Sequence, residues 1–195
     1  IPEFSRTSKG LPIVNLLQIE KDENISSILK IERENEKKYL IMATKNGIIK
    51  KTLLSDFDNI RKTGKICINL KDNDELVGVR KVNEGELVLL GNSNGKVVKF
   101  NEKEVRNMGR TATGVKGMNI DDGHCLCIEI VQEESIVLIV TEKGYGKQTK
   151  TSNFRQTKRG SKGVKALNIT EKNGTLIAIK IIDINQDLII MTNTG

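Results

Sequence analysis

V-R-N-M-G-R-T-A-T-G-V-K-G-M-N-I at 105–120, then C-L-C-I-E-I-V at 125–131 and I-V-L-I-V-T-E-K-G-Y-G-K-Q-T at 136–149, is the stretch that decides the fold. It reads as a basic, glycine-rich loop followed by three or four short strands, the last pair joined at Lys143-Gly144. The same order recurs four times. An Arg-x-x-x-Gly word stands at Arg6 to Gly10, Arg110 to Gly114 and Arg159 to Gly163, with a shorter variant at Arg61-Lys62-Thr63-Gly64. Its glycines, at 10, 64, 114 and 163, are 54, 50 and 49 residues apart. The turn glycines at 47, 95, 144 and 195 step by 48, 49 and 51. Two independent markers thus keep one period, and a unit of that size cannot bury a core alone. Four short strands per unit predict an all-β, propeller-like array of about four four-stranded antiparallel blades, the last one truncated. Four tandem copies of an independent small domain are the alternative, disfavoured because such small cores are marginal.

Composition agrees. Twenty-five Ile and thirteen Val against four Ala favour strands over helices, because β-branched side chains pack well on a pleated surface. No apolar run reaches the length of a membrane span, and no cleavable leader is visible. Three unevenly spaced cysteines fit a reducing compartment, so a cytoplasmic protein is expected.

Along the chain, Ile1-Pro2-Glu3-Phe4 fits no repeat and reads as a vector-derived linker. The blades are expected at about 5–59, 60–104, 105–153 and 154–195. The first carries strands at Leu11–Leu17, Ile25–Ile31, Tyr39–Thr44 and Ile48–Thr52, with Asn46-Gly47 as a type I′ hairpin signature. The second has Ile66–Leu70, Leu76–Val82, Leu87–Leu90 and Lys96–Phe100, turning at Asn94-Gly95. The fourth has Val164–Ile169, Leu176–Ile184 and Leu188–Thr192, and stops at the turn Thr194-Gly195, as a piece of a longer chain would.

The net charge is +7, and its distribution says more than its size. Residues 5–11, 60–66, 105–117 and 154–165 contain no acid, yet hold Arg6, Lys9, Arg61, Lys62, Lys65, Arg106, Arg110, Lys116, Arg155, Lys158, Arg159, Lys162 and Lys165. Acids return after the next strand, at Asp22-Glu23, Asp72, Asp74-Glu75, Asp121-Asp122 and Glu171, which predicts a basic and an acidic rim. Glycine loops let backbone N–H groups approach an anion, and nearby cations release counterions from a polyanion. With no Trp, two Tyr and four Phe there is little to stack on single strands, and no recognition helix is visible. What remains is contact with a duplex backbone, largely indifferent to sequence.

Other motifs point nowhere. His124-Cys125-Leu126-Cys127 lacks a fourth ligand, since only Cys67 remains a repeat away. Gly144-Tyr145-Gly146-Lys147-Gln148-Thr149 departs from a nucleotide loop in spacing and in having Gln after Lys. No nucleophile–base team surrounds the single histidine, so neither catalysis nor a cofactor is expected of this chain.

The words S-R-T-S-K-G-L-P-I-V-N-L-L (5–17), A-T-K-N-G-I-I-K-K-T (43–52), D-E-L-V-G-V (74–79), M-G-R-T-A-T-G-V-K-G (108–117) and G-Y-G-K-Q-T (144–149) resemble the C-terminal domain of bacterial DNA gyrase A. The resemblance implies a β-pinwheel of about six blades, each lending a strand to its neighbour, whose basic perimeter wraps double-stranded DNA. It also implies a parent type II topoisomerase that uses ATP and Mg. There the wrap directs strand passage toward negative supercoiling, with the rest of gyrase A and gyrase B as partners. The family's Q-R-R-G-G-K-G box belongs to a blade before Ser5; its nearest likeness here is Lys158-Arg159-Gly160-Ser161-Lys162-Gly163. Topoisomerase IV has an equivalent domain with more eroded blade motifs, and a propeller-type protein scaffold would also explain the repeats, though not the acid-free loops.

Overall fold

A computed structural model describes residues 3–17, 19, 23, 25–31, 38–59 and 64–183. Their regular structure is β-strands and short 3-10 turns. Three hairpins carry the repeat: β1 (Tyr39–Thr44) with β2 (Ile48–Leu53), β4 (Leu87–Asn92) with β5 (Lys96–Asn101), and β8 (Ile136–Thr141) with β9 (Gly146–Lys150). Each hairpin gains a strand from the next repeat: β3 (Leu76–Val82) on β1, β7 (Cys125–Val131) on β4, and β11 (Leu176–Ile182) on β8. The first two gain a fourth strand from the repeat after that, β6 (Val115–Lys116) on β2 and β10 (Val164–Lys165) on β5. The result is an array of antiparallel sheets, β3-β1-β2-β6, β10-β5-β4-β7 and β11-β8-β9, each drawing on later repeats.

Shared cores follow. Ile41, Ala43 and Ile49 of the first sheet pack against Val88, Leu90, Val98 and Phe100 of the second. The second sheet's opposite face, Leu89 and Val97, packs against Val137 and Ile139 of the third. A sheet covered on both faces needs a continuous apolar run, and Val88-Leu89-Leu90 supplies one.

Several sequence expectations are corrected. The tip at Asn46-Gly47 is a three-residue loop, not a type I′ turn, as is the tip at Asn94-Gly95, and four residues join Thr141 to Gly146. Gly47, Gly95 and Gly144 donate back to the carbonyls of Thr44, Asn92 and Thr141. Only the glycine of each loop has a positive φ, +76°, +75° and +79°, whereas type I′ needs two such residues. Leu11–Leu17 contains a 3-10 turn at Ile13–Asn15, and residues 25–31 form no strand. By the repeat, both segments are donated elements, and no earlier hairpin among the described residues offers them a ladder. Residues 66–70 are not a strand either; the Cys67 carbonyl accepts from the Lys50 ammonium instead (2.5 Å). Regular pairing in 164–169 is limited to Val164–Lys165, because the chain then crosses the hairpin tip, where Ala166 and Leu167 both donate to Gly95 O. Leu188–Thr192 lies outside the described residues.

Two glycines let the fourth strands dock. A Cβ on Gly114 (φ +110°) would stand 2.6 Å from Ile49 O, and one on Gly163 (φ +79°) would press on Val97 O. Gly144 has the same φ with nothing nearby. Gly144→Ala should therefore cost only backbone strain, about 1–2 kcal/mol. Gly163→Ala must also lift β10 off β5, and is expected to cost about 2–4 kcal/mol in chemical denaturation. Equal losses would show that the strand added from two repeats away contributes nothing.

Candidate nucleic-acid interface

The basic loops are the segments that deliver β6 and β10. Residues 107–118 run along the outer edge of β2: Met108 N donates to Lys51 O (2.8 Å), Val115 and Lys116 pair with Ile49 and Ile48, and Gly117 and Met118 donate to Gly47 O. Residues 157–167 repeat this on β5, from Thr157 N on Lys99 O (2.7 Å) to Leu167 N on Gly95 O (3.1 Å). Lysines hidden in the strands hold the loops from beneath. Lys51 is paired with the fully buried carboxylate of Glu102 and also reaches its carbonyl (3.3 Å). At the equivalent place, Lys99 donates to Thr151 O (3.0 Å) and Glu133 (2.8 Å). Lys50 donates to the carbonyls of Cys67 and Arg110, and burial holds its ammonium below the usual lysine range.

The loops are also bonded to one another. Asn69 N donates to Ala112 O (3.3 Å), Asn119 N to Ser161 O (2.9 Å) and Gly160 N to Gly117 O (2.6 Å). Arg110 Nη1 reaches Ile66 O (3.4 Å), and Arg159 Nη1 reaches Lys116 O (3.0 Å). Residues 64–70, 105–119 and 154–165 are therefore one continuous track across successive blades.

The thirteen cations singled out in the sequence divide. Arg106, Lys116, Arg155 and Lys158 are exposed on the track, without a side-chain partner among the described residues. Arg6 and Lys9 are exposed on the first loop, and Lys165 is exposed beside Asn168 (3.3 Å). Lys162 is paired with Asp121 (3.0 Å) and Lys65 is bonded to Asp58 O. Arg110 and Arg159 are half-buried between loops; Arg61 and Lys62 lie outside the described residues.

The expected acidic rim does not hold as drawn. Asp74 is buried, accepting from Thr44 Oγ1 (2.6 Å) and Asn46 N (2.9 Å), and so caps the first hairpin tip. Asp121 sits against Lys162. The intervening strand is two residues long, too short to carry the chain to an opposite rim.

Cys125 and Cys127 are buried on β7; burial pushes the Cys125 thiol up to about 12 and the Cys127 thiol higher still. Among the described residues, no group of three or more His, Cys, Asp or Glu side chains is placed to hold a metal. No helix among them is long and apolar enough to cross a membrane.

Sheets completed by later repeats and edged by a glycine-rich basic track define a propeller-type array of strand-donating blades. The chain belongs to the family described as DNA gyrase C-terminal domain, beta-propeller, whose model matches residues 1–32, 38–83, 86–124 and 135–183. It is 43% identical over its whole length to the DNA gyrase A protein of Staphylococcus epidermidis and 41% identical to that of Staphylococcus aureus, spanning 22% of each. In shape it is similar to the C-terminal domain of DNA topoisomerase IV (TM-score 0.81, 29% identity, 89% of this chain and 55% of that one). A solved DNA gyrase A C-terminal domain is comparable (TM-score 0.77, 28% identity, 90% and 59%).

Proposed function

We propose that this chain is a non-catalytic module that binds double-stranded DNA without regard to sequence and bends it around the basic track. The observation that carries the reading is the track itself. Three acid-free loops from three repeats are bonded into one edge, with Arg106, Lys116, Arg155 and Lys158 left free on it. Many weak phosphate contacts along a curved edge can offset the cost of bending a duplex, where one cluster could not. In a longer gyrase A protein, the wrap would present a distant segment of the same DNA to the strand-passage gate and direct ATP-dependent passage toward negative supercoiling. The partners there are the rest of gyrase A and gyrase B, in the cytoplasm, with ATP and Mg serving the parent and not this chain.

A charge-matched comparison tests the surface. Arg155→Ala with Lys158→Ala removes two free cations from the track; Lys38→Ala with Lys180→Ala removes the same charge from exposed positions outside it. The track pair should weaken binding to random-sequence duplex about tenfold or more at physiological salt, the control pair less than about threefold. The reason is that a cation beyond the screening length of ~8 Å contributes little. Equal losses in a direct titration would mean that binding follows net charge and that the edge is wrongly drawn.

A further inference from the structure

We propose that Arg110 and Arg159, with Glu104, are positioning residues that hold successive basic loops in register, so that one duplex can engage several loops at once. This rests on the DNA-binding reading above.

The two arginines are in phase within the Arg-x-x-x-Gly words, yet they are not displayed as Arg106 and Arg155 are. Arg159 is held at three points: its N–H donates to Glu104 Oε2 (3.0 Å), Nε to Glu104 O (2.8 Å) and Nη1 to Lys116 O (3.0 Å). Lys116 is itself one of the free cations, so Arg159 grips the backbone that carries a proposed phosphate contact of the preceding loop. Arg110 makes the corresponding reach to Ile66 O (3.4 Å), while its own carbonyl is held by buried Lys50. The backbone bonds Gly160 N to Gly117 O and Asn119 N to Ser161 O cross the same seam.

A guanidinium donates along fixed, divergent directions to two carbonyls at once; an ammonium carries the same charge without that geometry. Register matters because a second contact profits from the first only if both sites can be occupied together. A loop free to shift would have to be ordered at each binding event.

The test uses Arg159→Lys, which keeps the charge, and two random-sequence duplexes. One is of about one helical turn, about 10 base pairs, and meets one loop; the other, of about 40 base pairs, spans several. Arg159→Lys is expected to bind the short duplex within about twofold of wild type and the long one about tenfold more weakly, as for the loss of hydrogen bonds to a charged group. Glu104→Ala guards against a folding defect and raises the positive charge. Charge alone would tighten both duplexes, whereas lost register weakens the long one only. Wild-type affinity of Arg159→Lys for the long duplex, or equal losses on both lengths, would overturn the positioning role while leaving DNA binding intact. Failure of the wild type to bind either duplex would overturn the DNA-binding reading instead.

Discussion

Binding to a long random-sequence duplex is expected to weaken by about 10³–10⁵-fold when salt is raised from 50 to 200 mM, the loss that accompanies about six to ten phosphate contacts. That range follows from the loops. Arg6 and Lys9, Arg106 and Lys116, and Arg155, Lys158 and Lys165 give two or three exposed cations on each of three loops. Those seven cations, each meeting one phosphate, would release about six counterions. The slope of log affinity on log salt, from titrations at four or more salt concentrations, is the measurement. Scrambled sequences should share one slope, since the described residues include no helix to enter a groove and the sequence has few aromatic side chains to stack on bases. A slope reporting only one or two ions, or a strong preference for one sequence, would exclude an extended track.

The largest effect on stability is expected away from the surface. Glu102→Ala should destabilise the chain by about 3–5 kcal/mol, because it leaves the ammonium of Lys51 buried without its counter-charge. It also removes the acceptor of the Gly85 N–H (2.9 Å). Glu133→Ala makes a sharp comparison. Its partner Lys99 is equally buried, but the Glu133 side chain is 54% exposed and Thr151 O still receives the ammonium. Solvent screens that pair, so its loss should cost about 1 kcal/mol or less. Urea denaturation of both variants decides. Similar midpoints would mean that water reaches the Lys51–Glu102 pair, and that the hidden lysines do not anchor the loops.

Both results bear on the proposed function, because the loops are only as well placed as the strands beneath them. Lys50, Lys51 and Lys99 lie in β2 and β5 under the track, spending their charges on Glu102, Glu133 and loop carbonyls. Arg106, Lys116, Arg155 and Lys158 remain outside. Basic side chains thus do two jobs along one edge, some holding the loops and some facing solvent.

Much of this was legible without coordinates. The period of about 49 residues, read from two sets of glycines, implies repeated units that share cores, and the hairpins Tyr39–Leu53 and Leu87–Asn101 lie where local alternation and Asn-Gly place them. The acid-free loops were likewise visible as composition, and the longer words carried the family. Local pattern could not say which hairpin a strand completes. Val115-Lys116 has the same side chains whether it pairs within its own repeat or with Ile48-Ile49 two repeats earlier, and only the packed array selects the second. Nor could it tell a buried lysine from an exposed one. Ile48-Ile49-Lys50-Lys51 reads as a strand with a solvated end, until folding brings Glu102 from 51 residues away to Lys51. Asp74 at the first hairpin tip and Arg159 against Lys116 likewise owe their places to partners distant in sequence. Secondary structure and repeat are short-range properties written in spacing and side-chain type. The burial of a charge depends on what the rest of the chain packs over it, and that is settled only when the blades assemble.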